Sequence, residues 1–369
     1  MRTEVEVLLV SATPPPIGGV ASWTRTFLAL APDYGIRIRH YETRVEGARL
    51  SPRGLWRVVR VTLGPVGSLL LGRGRGADVV HVTAGTGGGL LRASLLAAAA
   101  RVLGKAAVVH LHSRLHTASP IERRAMGLAI RLGARVVTPS EADARGEHRL
   151  AWIGNLIAPE FASGSPWRLA ARRGLRLVYV GWLIHAKGLS DLVRAVARAP
   201  GVEVDLIGPV VRPSEAREIE TLIDQLQVGG RVRIREPLPV AELRAAMLEY
   251  DALVLPSHRE SFGLVAAEAM AIGLPVAATR TGMLETAPDE TFHAVPIGNA
   301  DGLATALERL MADRDRLLPG LSDAGRRFVD RAYSPAAIFD GWLALYHRAL
   351  GRPAAELEHA QAGTGAGGR

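Results

Sequence analysis

Short apolar runs alternate with longer stretches whose apolar residues recur every three to four positions, from the amino terminus to about residue 350. Val5 to Val10 reads as a strand, followed by a Pro-rich loop, Thr13 to Gly19, that closes on Gly18-Gly19. Ser22, Trp23, Phe27, Leu28 and Leu30 then keep helical spacing, and Ile36 to Tyr41 alternates as a second strand. Asp78 to Val82 and Ala106 to His112 are further strands, with a helix opened between them by Thr86 to Gly89. Arg135 to Pro139 is another short run, and Ser140 and Glu141 suit a helix cap and first turn. The rhythm pauses over Ala162 to Arg173, a polar and basic stretch with Gly164 and Pro166 that reads as a linker. It restarts with strands at Leu175 to Val180, Val202 to Ile207, Val232 to Arg235, Ala252 to Leu255 and Pro275 to Thr279. Helices over Leu189 to Ala197, Ser214 to Gln227 and Val240 to Tyr250 separate them, and a helix expected to start near Phe262 precedes the last strand.

Strands alternating with helices predict the α/β class, and 369 residues exceed one ordinary core. The expectation is two doubly wound, Rossmann-like parallel sheets with a cleft between them: residues 1–165 and 166–334. Pro335 to Leu350 is a last helix, with Ile338, Phe339, Trp342, Leu345 and Tyr346 on one face; residues 335–351 are expected to pack back toward the first domain. Residues 352–369, rich in Ala and Gly, have too little to bury and read as a disordered tail.

Charge separates the halves. Residues 1–165 hold 21 Arg plus Lys against 11 Asp plus Glu, a net of +10, whereas residues 166–369 hold 24 against 25, a net of −1. Residues 47–77 carry six arginines and no acid, interleaved with apolar residues. Arg53, Trp56, Arg57 and Arg60 there read either as a basic amphipathic surface for anionic lipid or as a solvated helix face. Aromatic residues are only 5% and none interleave with the basic ones as a stacking set, which argues against nucleic acid. There is no cysteine, hence no disulfide and no cysteine-ligated metal, and a reducing cytoplasm fits. No run reaches the ~18 apolar residues of a membrane span, and the amino terminus does not read as a signal peptide.

Candidate chemistry gathers at strand–loop–helix junctions. Gly18-Gly19 follows the first strand, where absent side chains let a ligand approach backbone beside a helix start. No Gly-x-Gly-x-x-Gly follows a strand, its one occurrence being Gly363 to Gly368 in the Ala- and Gly-rich tail, and no Gly-Lys-Ser or Gly-Lys-Thr occurs, which removes support for a dinucleotide oxidoreductase or a P-loop ATPase. His110 and His112 end one strand on the same face, as ligand-facing or merely structural imidazoles. Gly181 ends the strand Leu175 to Val180, and Lys187-Gly188 follows it. Lys187 is one of only two lysines beside 43 arginines, and a compact ammonium at a helix start suits a diphosphate. Glu260 and Glu268 stand eight apart around Phe262-Gly263-Leu264. With a helix from about Phe262, Glu268 lies roughly 9 Å along its axis. That separation suits two acceptors gripping hydroxyls at the ends of one extended ligand whose charged middle meets the helix start and Lys187.

Residues 250–285 resemble the Glu-x7-Glu signature of family 4 of the retaining glycosyltransferases (group 1, GT-B fold). The likeness continues through Gly18-Gly19, His112, Asn155, Lys187-Gly188 and Pro256-Ser257. The resemblance implies transfer of a sugar from a UDP- or GDP-linked donor to a hydroxyl, with retention and without metal or other cofactor. It implies that Glu260 contacts the donor sugar and Glu268 the ribose. Lys187 and the amides of Phe262, Gly263, Leu264 and Val265 hold the diphosphate, His112 sits by the reacting sugar, and Gly19 lines the phosphate side. Catalytic roles thus fall to His112, Lys187 and Glu260. A lipid-linked or surface glycan at the cytoplasmic membrane face is the implied acceptor. Two positions depart from the family: Trp182 stands where an arginine is usual, and Met283 follows Gly282 where Gly-Gly is common. Two alternatives share the fold: a nucleotide-sugar epimerase, and a catalytically silent binding subunit for which Trp182 is the motive.

Overall fold

A computed structural model describes residues 4–14, 19–43, 64–68, 76–85, 88–114, 118–145, 150–162 and 166–352. Gly18, the lipid-surface candidates Arg53, Trp56, Arg57 and Arg60, and the expected tail beyond residue 352 lie outside the described residues. The chain forms two compact units, residues 1–156 with 335–369, and residues 157–334.

The first unit is built on strands β1 (Val5–Ser11), β2 (Ile36–Glu42), β3 (Val79–Ala84), β4 (Ala106–Leu111), β5 (Arg135–Thr138) and β6 (Leu150–Trp152), in the order β2-β1-β3-β4-β5-β6. Every pairing is parallel. The near-continuous apolar runs have this cause: a parallel sheet is covered on both faces, so both sets of side chains are buried. Along β3, Val80, Val82 and Ala84 enter the core beneath helices α2 (Gly88–Val102) and α3 (Pro120–Arg131). His81, on the alternate face, meets Trp23 and Phe27 of α1 (Gly19–Leu30), and also Trp342 and Tyr346. Ser119 caps α3 in a reciprocal box with Glu122, which stops fraying at its first turn. A single turn, α4 (Glu141–Arg145), follows β5, with the Ser140 hydroxyl accepting from the Asp143 amide at 3.3 Å.

The second unit opens with a short helix, α5 (Pro159–Ala162). Its strands are β7 (Leu175–Val180), β8 (Val202–Ile207), β9 (Val232–Arg235), β10 (Ala252–Leu255), β11 (Val276–Ala278) and β12 (His293–Ala294), ordered β12-β11-β10-β7-β8-β9 and again all parallel. Helices α6 (Leu189–Arg198), α7 (Pro213–Gln225), α8 (Val240–Met247), α9 (Leu264–Ala271), α10 (Ala300–Ala312) and α11 (Arg314–Ala332) complete it. From β7 the chain winds outward through β8 and β9, then returns to the other side of β7 with β10. The order therefore reverses between β7 and β10, and the carboxyl ends of strands at such a switch point leave a crevice for ligands.

The stretch expected as a polar linker is partly packed. Trp167 is buried, its amide donating to the Ile272 carbonyl at 2.8 Å and its indole N–H to the Tyr250 carbonyl at 2.7 Å. The last helix, α12 (Pro335–Ala349), returns to the first unit, and all five apolar residues named for its inner face are buried.

Candidate active site

The junction after β7 and the junction after β10 are stitched into one structure. Gly188 adopts the left-handed conformation at φ 68°, and a Cβ there would lie 2.1 Å from the Pro256 carbonyl oxygen. Only glycine meets both conditions, so the two loops touch through backbone. The His258 amide donates to the Ala186 carbonyl at 3.0 Å, and the His258 ring pairs with Asp191 at 2.8 Å. Lys187 is thereby carried to Glu260, with Nζ 2.6 Å from Oε1. The Ser257 hydroxyl donates to the same oxygen at 2.8 Å. Both charges are mostly buried, at 21% and 10% exposed, so the ammonium–carboxylate bond is charge-assisted and fixed in direction. Buried Tyr179 lies near enough that the Glu260 charge, after burial itself, pushes its phenol further above the ordinary range.

The loop from β11 closes this arrangement from the other side. The Thr279 hydroxyl donates to the Ser257 carbonyl at 2.6 Å, and the Met283 amide to the Phe262 carbonyl at 2.7 Å. Gly282 has φ 61°, and a Cβ on it would meet the Phe262 carbonyl oxygen at 2.3 Å and Glu260 Cβ at 3.0 Å. Gly282 is thus the glycine the site requires, while Met283 beside it is buried. Phe262 is also buried, edge-on to Tyr333.

Helix α9 begins at Leu264, two residues later than expected, because Gly263 at φ 85° cannot belong to the helix and serves as its left-handed cap. No side chain caps it, so the first amides, beginning with those of Leu264 and Val265, face outward at the positive end of the helix dipole. Glu268 then stands four residues into the helix, about 6 Å along its axis rather than 9 Å, and is half-buried. Gly181 directly follows β7, where a Cβ would meet the Tyr179 hydroxyl at 2.6 Å. Trp182 follows with its side chain exposed and its carbonyl accepting from that hydroxyl at 2.8 Å.

In the first unit, Gly19 opens α1, and a Cβ added to it would touch nothing within 4 Å. Packing does not demand glycine there, which leaves open space at a helix start. His112 directly follows β4 and lies against His110 with the rings tilted 40° and their centroids 4.2 Å apart. Trp23 lies edge-on to both. Burial lowers His112 to about pKa 3; burial, His112 and His81 hold His110 well below the usual range. His112 is therefore a neutral imidazole near neutral pH, suited to hydrogen bonding and unable to supply a positive charge. Its Nε2 is buried without a protein partner, as are both nitrogens of His110 and the side-chain oxygen of Asn155.

Lys187 and Glu260 were legible in the sequence as partners facing one ligand, but the direct ion pair between them was not, nor were the roles of Ser257, His258, Asp191 and Thr279. The signal for Ser257 was its position three residues before Glu260 on a tight loop. His258 and Asp191, 67 residues apart, carry no local signal. Among the described residues no group of histidines and carboxylates has a metal-binding arrangement.

Residues 170–328 match the family model of "Glycosyl transferases group 1". A D-inositol 3-phosphate glycosyltransferase of Xylanimonas cellulosilytica is 37% identical over 187 residues, 47% of this chain and 45% of that protein. The chain thus spans less than half the length of that relative in the match. Among solved structures, a sucrose-phosphate synthase from Thermosynechococcus elongatus superposes with a TM-score of 0.73 at 22% identity, covering 94% of this chain and 99% of the other. Anabaena Alr3699/HepE, solved in complex with UDP-glucose, gives a TM-score of 0.69 at 18% identity, covering 92% and 98%. The second unit carries the sequence pattern of the group 1 glycosyl transferases, and both units carry the GT-B fold.

Proposed function

We propose that this protein is a retaining, metal-independent glycosyltransferase that moves a sugar from a UDP- or GDP-linked donor to a hydroxyl acceptor. The observation that carries the reading is the Lys187–Glu260 pair, held at the switch point of the second sheet beside the uncapped start of α9. An ammonium and outward-facing amides are what a departing diphosphate needs, since charge develops on it as the glycosidic bond breaks. Glu260 neutralises Lys187. When donor binds, the diphosphate takes the ammonium, and Glu260, still anchored by Ser257, turns its acceptor oxygens to the sugar hydroxyls. Glu268, one turn into α9, receives the ribose hydroxyls. In the first unit, Gly19 offers a helix start with open space for a phosphate, and His112 a neutral imidazole able to hydrogen-bond a sugar hydroxyl. Front-face attack within an ion pair gives retention, with the leaving diphosphate accepting the acceptor proton. The excess of +10 in residues 1–165 supports an anionic or lipid-linked glycan acceptor for the first unit, at the cytoplasmic face of a membrane.

The test is consumption of UDP-glucose and GDP-mannose, with and without candidate acceptors and with EDTA. Acceptor-dependent consumption, indifference to EDTA, and a product of unchanged anomeric configuration by NMR are expected. Lys187→Ala and Glu260→Ala each lower turnover at least ~100-fold with the melting transition retained. Consumption without acceptor, an inverted product, or unchanged turnover in both variants contradicts the reading. Exposed Trp182, in place of a second phosphate cation, favours one rival, a silent subunit that binds no donor at all.

A further inference from the structure

Ten large hydrophobic side chains are exposed among the described residues, and six of them lie on or at the ends of two adjacent helices: Leu95, Val102 and Leu103 of the α2 segment, and Ile121, Leu128 and Leu132 of the α3 segment. Val102 is 75% exposed and Ile121 64%, values that a core-facing stripe never shows. On α2, Leu95 and Val102 stand seven residues apart, as do Ile121 and Leu128 on α3, so each helix turns one apolar line outward. Both helices cover the same sheet face, and their inner residues, such as Leu90, Ala97, Met126 and Ala129, enter the core. Arg101 locks their carboxyl-terminal ends together, Nε donating to the Leu132 carbonyl at 3.0 Å and a terminal nitrogen to the Lys105 carbonyl at 2.9 Å. The outward lines therefore form one rigid surface.

The exposed charges on α3 have one sign: Arg123, Arg124 and Arg131. Residues 88–135 contain seven arginines and Lys105 against a single acid, Glu122, which is buried in the Ser119 capping box. Arg123, Arg124 and Arg131 line an open depression with Pro120 and Gly127, and a Cβ on Gly127 would meet nothing within 4 Å. That notch among guanidinium groups suits a phosphate. The apolar residues are aliphatic and spread along both helices, with arginines among them, instead of converging on an aromatic anchor of the kind protein interfaces use.

We infer that the α2–α3 face is a membrane-docking surface that lies on anionic phospholipid, with Ile121, Leu128 and Val102 entering the acyl boundary and Arg124 and Arg131 pairing with headgroup phosphates. Aliphatic side chains flanked by basic ones are the composition of a helix lying in the bilayer interface, and an anionic leaflet adds about 1 kcal/mol per basic residue at the surface. No helix among the described residues is long and apolar enough to cross a membrane, so such binding is peripheral in character. The inference does not depend on sugar transfer. It also places the lipid contact at residues other than Arg53, Trp56, Arg57 and Arg60.

The test is co-sedimentation of the full chain with vesicles of phosphatidylcholine alone or mixed with phosphatidylglycerol, at low and high salt. The wild type partitions onto the anionic vesicles and is released by salt. Arg124→Gln with Arg131→Gln lowers the partition coefficient roughly 30-fold, two charges at the per-residue value. Ile121→Ser with Leu128→Ser lowers it at least about tenfold. Arg198→Gln, a charge loss on the second unit, leaves it unchanged. All four altered side chains on α3 are exposed, so the melting transition should stay in place and both double variants remain testable. Equal partition onto neutral and anionic vesicles overturns the inference, as does wild-type partition in both double variants, which would transfer the contact elsewhere. It is likewise overturned by light scattering that finds a dimer dissolved by Ile121→Ser with Leu128→Ser, making the face an interface between copies.

Discussion

Gly188 shows what one residue decides. Its φ of 68° and the 2.1 Å approach to the Pro256 oxygen leave no room for a side chain, and the contact sets Lys187 against Glu260. Gly188→Ala should therefore destabilise the fold by about 2–3 kcal/mol in urea unfolding, the left-handed cost plus a backbone clash, and weaken donor binding with it. A variant as stable as the wild type would mean that the two loops are not in contact. The sequence exposed Lys187 by its rarity and Gly188 as a turn. It could not expose the reason for the glycine, because the obstacle is a carbonyl 68 residues away. Gly282 repeats the lesson: the family's common Gly-Gly made Met283 look like the defect, yet the packed position is Gly282, and Met283 simply fills the core.

At the scale of elements, strands and helices were legible because parallel strands buried on both faces announce themselves as apolar runs, and the amphipathic helices between them keep their period. Boundaries were less so. The start of α9 moved by two residues because the left-handed state of Gly263 depends on its surroundings, and Glu268 moved with it. The layer of α1, β3, β4 and α12 was legible only as separate aromatic residues. Assembled, Trp23, His81, His110, Trp342 and Tyr346 form one buried cluster, with His81 Nδ1 2.7 Å from the Tyr346 hydroxyl. Trp342→Ala should cost about 3–5 kcal/mol by thermal or urea unfolding, the usual cost of emptying a buried indole site, and a cost below 1 kcal/mol would show that α12 does not dock there. The same cluster predicts an acid response. Burial, then His112, lowers His81 to about pKa 3, and burial lowers His112 to about 3. Both are depressed below the unfolded value of 6.5, so below that pH the unfolded chain binds more protons and stability falls as pH falls. Each histidine contributes about 1.4 kcal/mol per pH unit between roughly pH 6 and 3. Stability that is flat from pH 7 to 4.5 would contradict their burial as neutral groups.

For the molecule as a whole, the proposed division of labour rests on charge and likeness together. The family model matches only residues 170–328, within the unit that holds Lys187 and Glu260, whereas the basic excess lies in residues 1–165. A donor site that recurs across relatives and an acceptor unit that varies would leave this pattern. Two consecutive parallel sheets were legible in the alternation of elements. The sheet order was not, since nothing local says that β10 returns beside β7, and that return is what brings the two loops together. Lys187, paired with Glu260, is proposed to pass to the diphosphate of a nucleotide sugar when the donor binds. Isothermal titration calorimetry of wild type and Lys187→Ala with UDP-glucose and GDP-mannose tests it most directly. Saturable binding of at least one donor by the wild type is expected, weakened roughly 10- to 100-fold in Lys187→Ala, as for the loss of a hydrogen bond to a charged group. Binding of neither donor, or equal affinity in the variant, would contradict it.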